Sequence, residues 1–232
     1  MSPGKFIALE GIDGSGLTTQ AAMLREWFRE RGQKCLATKE PTDGPIGATI
    51  KQYLKKRLNG PANDEFEHML ALLFAADRLD HVANAIRPGL RQGAHVVSDR
   101  YLASSLAYQG AYLGLETVRA INRHSPPPDL TVFLDVPIAV CRRRIWGERW
   151  HPDLFPDLND HSDKLEPVRE QFEEVLRELK ASGQQVAVVN GDQRPHAVHA
   201  EVRKVVQDFL ETAGSARTGG RARDSMAMAS GT

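Results

Sequence analysis

Gly11-Ile12-Asp13-Gly14-Ser15-Gly16-Leu17-Thr18-Thr19 is the stretch on which the fold turns. A phosphate-binding loop needs a glycine, four residues, then Gly-Lys-Ser/Thr, after a strand and at the start of a helix. Both glycines stand in place, and Thr18 and Thr19 offer hydroxyls for a magnesium ion. Upstream, the apolar run Phe6-Ile7-Ala8-Leu9 predicts a short buried strand. Downstream, Met23, Leu24, Trp27 and Phe28 recur at helical spacing until Gly32 supplies a stop. The glycines let backbone N–H groups turn inward, and the helix dipole adds to them, so an anion can bind there. One residue departs from the pattern. Leu17 stands where a lysine normally neutralises the outer phosphates.

Working outward, strands and helices alternate. Lys34–Thr38 predicts a second strand, ending at Glu40-Pro41. Ile46, Ile50, Tyr53 and Leu54 mark a helix. A longer helix from about Asp64 carries Phe66, Met69, Leu70, Leu73 and Phe74 on one stripe and is expected to break near Pro88. Further strands are expected at Ala94–Ser98, Leu130–Asp135 and Gln185–Val189, and a last helix from about Pro195 to Leu210. This alternation predicts an α/β fold of the P-loop NTPase kind, a parallel sheet covered on both faces. Such sheets bind ligands at the carboxyl ends of their strands.

At 232 residues the chain suits one domain, taken as 1–212. Residues 213–232, rich in Gly, Ser, Ala and Arg without apolar periodicity, are expected to form a disordered tail. Lys plus Arg equals Asp plus Glu at 30 each, which marks no nucleic-acid or membrane surface. Cys35 and Cys141 lie far apart in apolar stretches, which predicts buried thiols rather than a disulfide framework or a metal site. The N-terminus has no apolar signal region and no segment is long enough to cross a bilayer, so a cytoplasmic enzyme is expected.

Polar clusters fall near the strand ends: Lys39-Glu40-Pro41, Asp99-Arg100-Tyr101, and, on the long helix, Phe74, Asp77, Arg78 and His81 at helical spacing. An aspartate can hold a metal-bound water and an arginine can grip phosphate with a fixed fork. A purely structural ion pair is the alternative for Asp99 and Arg100.

These segments together resemble the thymidylate kinase family. The resemblance rests on Phe6 through Gly16, Glu40-Pro41, Phe74-Ala75-Ala76-Asp77-Arg78, Ser98-Asp99-Arg100-Tyr101, Ser104-Ser105-Leu106-Ala107-Tyr108-Gln109-Gly110 and Pro128 through Val136. It covers roughly residues 4–210. It implies a five-stranded parallel sheet with a short helical lid at about 142–160. It further implies transfer of the γ-phosphate of ATP to dTMP to give dTDP, with Mg2+, by a homodimer. Residues 11–19 would then cradle ATP, Thr18 with Asp99 would organise magnesium, and Asp13 would reach the sugar hydroxyl or the acceptor end. Phe74 would stack on the base, Arg78 would donate to a base carbonyl, and Ser105 and Gln109 would complete the base-edge contacts. Tyr108 would lie against the deoxyribose, Arg100 would bind the acceptor phosphate, and Glu40 would fix the monophosphate pocket.

Two departures from the family pattern stand out. One is Leu17. The other is the lid, where Arg142-Arg143-Arg144-Ile145-Trp146-Gly147-Glu148-Arg149 runs into the proline- and aromatic-rich Trp150–Pro156. A lid arginine (Arg144 or Arg149) or Lys39 is the candidate replacement for the absent ammonium, whereas Lys5 begins the first strand at the wrong end of the sheet. Two alternatives stay open at this point: a catalytically silent nucleotide-binding homologue, and a kinase for another pyrimidine deoxynucleotide such as dUMP. The long helix, through Phe66, Met69 and Leu73, offers an apolar dimer face.

Overall fold

Alternate residues of the first strand go to opposite faces, and both faces are apolar, so this strand has to be central. In the computed structural model it is. The structure describes residues 4–55, 58, 63–149 and 165–227, with backbone alone at 146, 148, 149 and 213–227. Strand β1 (Phe6–Glu10) lies between β3 (His95–Asp99) and β4 (Leu130–Asp135), with β2 (Cys35–Lys39) and β5 (Val186–Asn190) at the edges. All four pairings are parallel, in the order β2-β3-β1-β4-β5.

Ile7 and Leu9 turn to one face, where α1 (Leu17–Glu30) and α10 (Pro195–Ala227) cover them. Phe6 and Ala8 turn to the other, against Val82, Ile86 and Tyr101. Phe133 on that side meets α5 (Leu102–Tyr108) and α9 (Leu165–Ala181) through Leu106, Ala107 and Phe172. Each fully buried side chain of this size contributes about 1.5–3 kcal/mol. The fold class expected from strand–helix alternation is therefore the observed one. The remaining helices include α2 (Pro45–Leu54), α6 (Gly110–Leu113), α7 (Leu115–Asn122) and α8 (Ile138–Arg149). The four helices from α5 to α7 and α9 were not legible in the apolar spacing.

The long helix differs from expectation twice. It does not stop at Pro88: α3 (Asp64–His81) passes through a π-helical turn (Val82–Ile86) into α4 (Arg87–Arg91). The wider turn, closed by the Arg87 N–H on the Val82 carbonyl, lets the chain carry a proline that has no N–H of its own to give. Its buried face is also not the predicted stripe. Ala71, Ala75, Asp77, Arg78 and His81 are buried, while Met69 and Leu73 are half-buried and Leu72 is 56% exposed. The last helix likewise continues to Ala227 rather than ending near Leu210, so residues 213–227 carry helical backbone where a tail without structure was expected. Residues 228–232 and 150–164, which include the expected lid from 150 to 160, lie outside the described residues.

Among the described residues no helix is long and apolar enough to cross a membrane. Both cysteines are free, Cys141 buried and Cys35 half-buried. Burial pushes the Cys35 thiol up to about 12 and the Cys141 thiol up to about 11, which leaves both unreactive near neutrality.

Candidate active site

The site lies at the carboxyl ends of β1, β3 and β2, where the topology brings three polar strand termini together. Its floor is the loop from Gly11 to Gly16. Gly16 caps α1 with φ 98° and no side-chain bond, so the first-turn amides stay available to an anion. Gly14, at φ 84°, faces α8: a Cβ there would sit 2.7 Å from the Cys141 carbonyl oxygen. Glycine is thus what lets α8 lie directly on the loop. Thr18, in the first turn of α1, donates its hydroxyl to Asp99 Oδ2 at 2.6 Å. Leu17 does not point to the loop mouth. It is 5% exposed and packs with Ile7, Leu9, Leu24, Val189 and Val202.

Asp13, Arg100 and Tyr108 meet above this floor. The Arg100 guanidinium donates to Asp13 Oδ1 at 2.6 Å, to the Gly11 carbonyl at 2.9 Å and to Ser104 Oγ at 3.0 Å. It also lies 5.1 Å above the Tyr108 ring. The Tyr108 hydroxyl accepts from the Asp13 N–H at 3.0 Å. Burial holds the Tyr108 phenol above its ordinary range, so it stays protonated. Burial opposes the Arg100 charge, yet Tyr108, Asp13, Asp99 and Glu10 together hold its pKa above the usual arginine value. Arg100 is the one non-glycine residue with positive φ among the described residues, at 71°.

A second assembly sits beside it. Glu40, 5% exposed, faces Arg78 Nη2 at 2.7 Å and His81 Nδ1 at 3.0 Å, and His81 Nε2 lies 2.7 Å from Thr38 Oγ1. Arg78, 1% exposed, also donates to Ser105 Oγ at 2.8 Å, to the Tyr101 carbonyl at 3.2 Å and to Asn122 Oδ1. The arginine expected to face a base is thus largely spent on protein acceptors. Its Nε is buried without a partner, and so is Gln109 Oε1, one turn beyond Ser105. Phe74 is half-buried on α3 and has no ring neighbour among the described residues.

Two of the three candidate cations have described side chains, Lys39 and Arg144. Lys39 is held by Asp43 at 3.3 Å. Arg144 reaches across from α8, donating to the Gly191 carbonyl at 3.0 Å and the Ser15 carbonyl at 3.5 Å. The Arg149 side chain lies outside the described residues. Arg143 is exposed, the solvated face expected for part of the arginine run.

Sequence reasoning missed Glu10, Ser104 and Asn122. Glu10 is 1% exposed at the end of an apolar strand. A carboxylate closing a buried apolar run was the signal available, because such a group needs partners.

Comparison with known proteins gives the same direction. The family model described as thymidylate kinase matches residues 9–202. A "probable thymidylate kinase" of Pyrococcus horikoshii is 47% identical over 208 residues, spanning 89% of this chain and 98% of that protein. One from Pyrococcus abyssi is 40% identical over 209 residues, with the same coverage of both. A thymidylate kinase of Desulfotalea psychrophila is 42% identical over 150 residues, 64% of this chain and 71% of its own.

Proposed function

Because the chain belongs to the thymidylate kinase family and is therefore a phosphotransferase, we propose that it moves the ATP γ-phosphate onto dTMP at the mouth of the Gly11–Thr19 loop, forming dTDP. The observation that carries this assignment is the Asp13–Arg100–Tyr108 cluster standing directly over a phosphate cradle. Phosphoryl transfer asks the protein for positioning and charge neutralisation, and little covalent help.

On this reading the loop amides hold the ATP phosphates and Arg100 grips the acceptor phosphate, screening its repulsion from ATP. Asp13 orients that guanidinium and meets the acceptor end of the nucleotide, and Tyr108 walls the deoxyribose. Phe74 stacks on the thymine face. The imide edge of thymine carries an N–H donor between two carbonyl acceptors. The unspent Gln109 Oε1 and Arg78 Nε are a matching acceptor and donor, with Ser105 and Glu40 fixing Arg78 between them. Arg144, which already reaches the Ser15 carbonyl of the loop, replaces the ammonium that Leu17 lacks. Arg149 belongs to the same lid by sequence.

The adjacent oxygens of Thr18 and Asp99 form a hard donor pair suited to Mg2+. No cluster of three or more metal-ligating side chains occurs among the described residues, which fits an ion held chiefly by phosphate and water. Bound there, Mg2+ would neutralise phosphate charge.

A coupled assay tests the assignment: ADP should form only when ATP and dTMP are both present. No ADP release above background, even at high enzyme concentration, would instead restore the silent-homologue reading, which family membership does not favour. With dUMP the rate should fall by only about 10–200-fold, the reach of one methyl group.

The homodimer is the remaining part of the proposal. The half-exposed apolar edge of α3, with Met69, Leu72, Leu73 and Ala76 lining one groove, fits a second copy of this chain. Leu72→Glu should weaken association by roughly 2 kcal/mol or more if Leu72 is central to that face. Sedimentation would show monomer at concentrations where wild type is dimeric, and an unchanged dimer would remove α3 from the interface.

A further inference from the structure

We infer that Glu10 is a positioning residue that locks the acceptor arginine to the phosphate-loop strand, acting on the substrate only through Arg100. The inference rests on the kinase reading above for its kinetic consequences, though not for its structural ones.

Arg100 occupies a left-handed backbone conformation, at φ 71°, with a side chain that gains nothing from it locally. Such conformations persist when the surroundings over-determine them. Here the Ser98 hydroxyl donates to the Arg100 carbonyl at 2.6 Å, and three consecutive residues at and just past the end of β1 supply further contacts. The Leu9 carbonyl accepts the Arg100 N–H at 2.9 Å. The Gly11 carbonyl accepts from the Arg100 guanidinium at 2.9 Å. Between them, Glu10 takes the bonds that fix the chain just after Arg100. Its Oε1 accepts the N–H of Tyr101 at 3.1 Å and of Ala103 at 3.2 Å, and its Oε2 pairs with the Ser104 hydroxyl at 2.5 Å. Ser104 Oγ is also an acceptor for Arg100 Nη1. The carboxylate therefore holds the backbone just after the arginine, at Tyr101 and Ala103, and the guanidinium through one hydroxyl.

The chemical consequence is registration. The strand that opens the ATP cradle and the group that grips the acceptor become one rigid body, so donor and acceptor phosphates meet at a fixed separation. A displacement of about 1 Å in such an arrangement can cost on the order of 10²-fold in rate. Burial alone explains a carboxylate less well, because an apolar residue would fill the space without needing three donors.

Titration adds a signature. Burial pushes the Glu10 carboxyl up to about 7, against the opposing pull of the Ser104 hydrogen bond and the Arg100 and Arg78 charges. The groups facing it are those two arginines, Ser104 and the Tyr101 phenol. Burial holds the phenol above its ordinary range, so it does not change charge near neutrality. Acidification through about 7 protonates Glu10, removing the negative charge beside Arg100 and one acceptor oxygen. Acceptor binding should then weaken.

Glu10→Gln is nearly isosteric and keeps an oxygen for the two backbone N–H groups. The expected result is a rise in KM for dTMP of roughly 10-fold or more, with KM for ATP within about twofold, in a protein that still folds; the figure scales from the cost of misplacing a reacting group. The wild-type rise of KM for dTMP on acidification should be shallower in this variant. Ser104→Ala, which removes only the relay, should shift KM for dTMP in the same direction by less. Crystal structures of wild type and Glu10→Gln give a readout independent of turnover: the Arg100 guanidinium should release Ser104 Oγ or the Gly11 carbonyl. An unchanged Arg100 conformation with unchanged KM for dTMP overturns the inference, as does an equal rise in both KM values. If wild type shows no dTMP-dependent ADP release, the kinase reading fails, and the conformation of Arg100 still decides the role of Glu10.

Discussion

Arg100→Ala lowers kcat/KM for dTMP by on the order of 10³ or more, the largest effect expected of any single substitution here. Removing one preorganised donor to developing charge typically costs about 10²–10³ in turnover. Arg100 is more than one donor. Its fork reaches Asp13, Gly11 and Ser104 at once, so truncation also frees Asp13 to repel the acceptor phosphate. Arg100→Lys should recover little, because a lysine offers a point charge where a planar fork is used. Steady-state kinetics with each substrate varied would show the loss concentrated on dTMP. If both variants turn over at the wild-type rate, the acceptor phosphate is held elsewhere and the proposed pocket is wrong. Backbone strain should change little, since alanine at φ 71° is no less strained than arginine, but losing the bonds to Asp13, Gly11 and Ser104 should lower fold stability, which chemical denaturation would measure.

The second large effect concerns Leu17 and Arg144 together. Arg144→Ala should reduce kcat by about 10²–10³ with little change in KM for dTMP, because the lost charge faces the donor phosphates. Leu17→Lys alone should change kcat by less than about 10-fold if Arg144 already fills that role. The double variant, Leu17→Lys with Arg144→Ala, should recover most of the lost activity. The geometry permits this: a lysine stem can keep the apolar contacts of Leu17 while its ammonium snorkels to the loop. A cost of about 1–3 kcal/mol in stability is expected, since Leu17 is 5% exposed within the main core. Chemical denaturation would measure it. Orders-of-magnitude gain from Leu17→Lys in the wild-type background would mean that no replacement cation is in place, and Arg144 would then be a structural contact between α8 and the loop.

Asp13, Thr18, Asp99, Arg100 and Tyr108, named as candidates from the motifs and the family resemblance, lie together at the carboxyl edge of the sheet. Arg78 was read as facing a nucleotide base, and its Nε alone remains for that, since the rest of its guanidinium is held by Glu40, Ser105, Tyr101 and Asn122. Asn122 sits on α7, and nothing near residue 78 in sequence announces it. The α3 stripe shows the same limit in reverse. Apolar periodicity located the helix, but its stripe of Phe66, Met69, Leu70, Leu73 and Phe74 is only half-buried, while the polar Asp77, Arg78 and His81 take the inside.

By itself the sequence determined the strand, the glycine loop and the helix that follow one another from Phe6 to Glu30, and the alternation that forces a covered parallel sheet. Those features follow from local backbone freedom and from the period with which apolar side chains recur. Tertiary structure alone decided that Leu17 turns into the core, that Arg144 reaches the loop from α8, and that Glu10 pins Arg100 from a strand ninety residues earlier. Each of those is a choice of partner across the sheet, and partner choice is set by how whole elements pack, which no local pattern encodes.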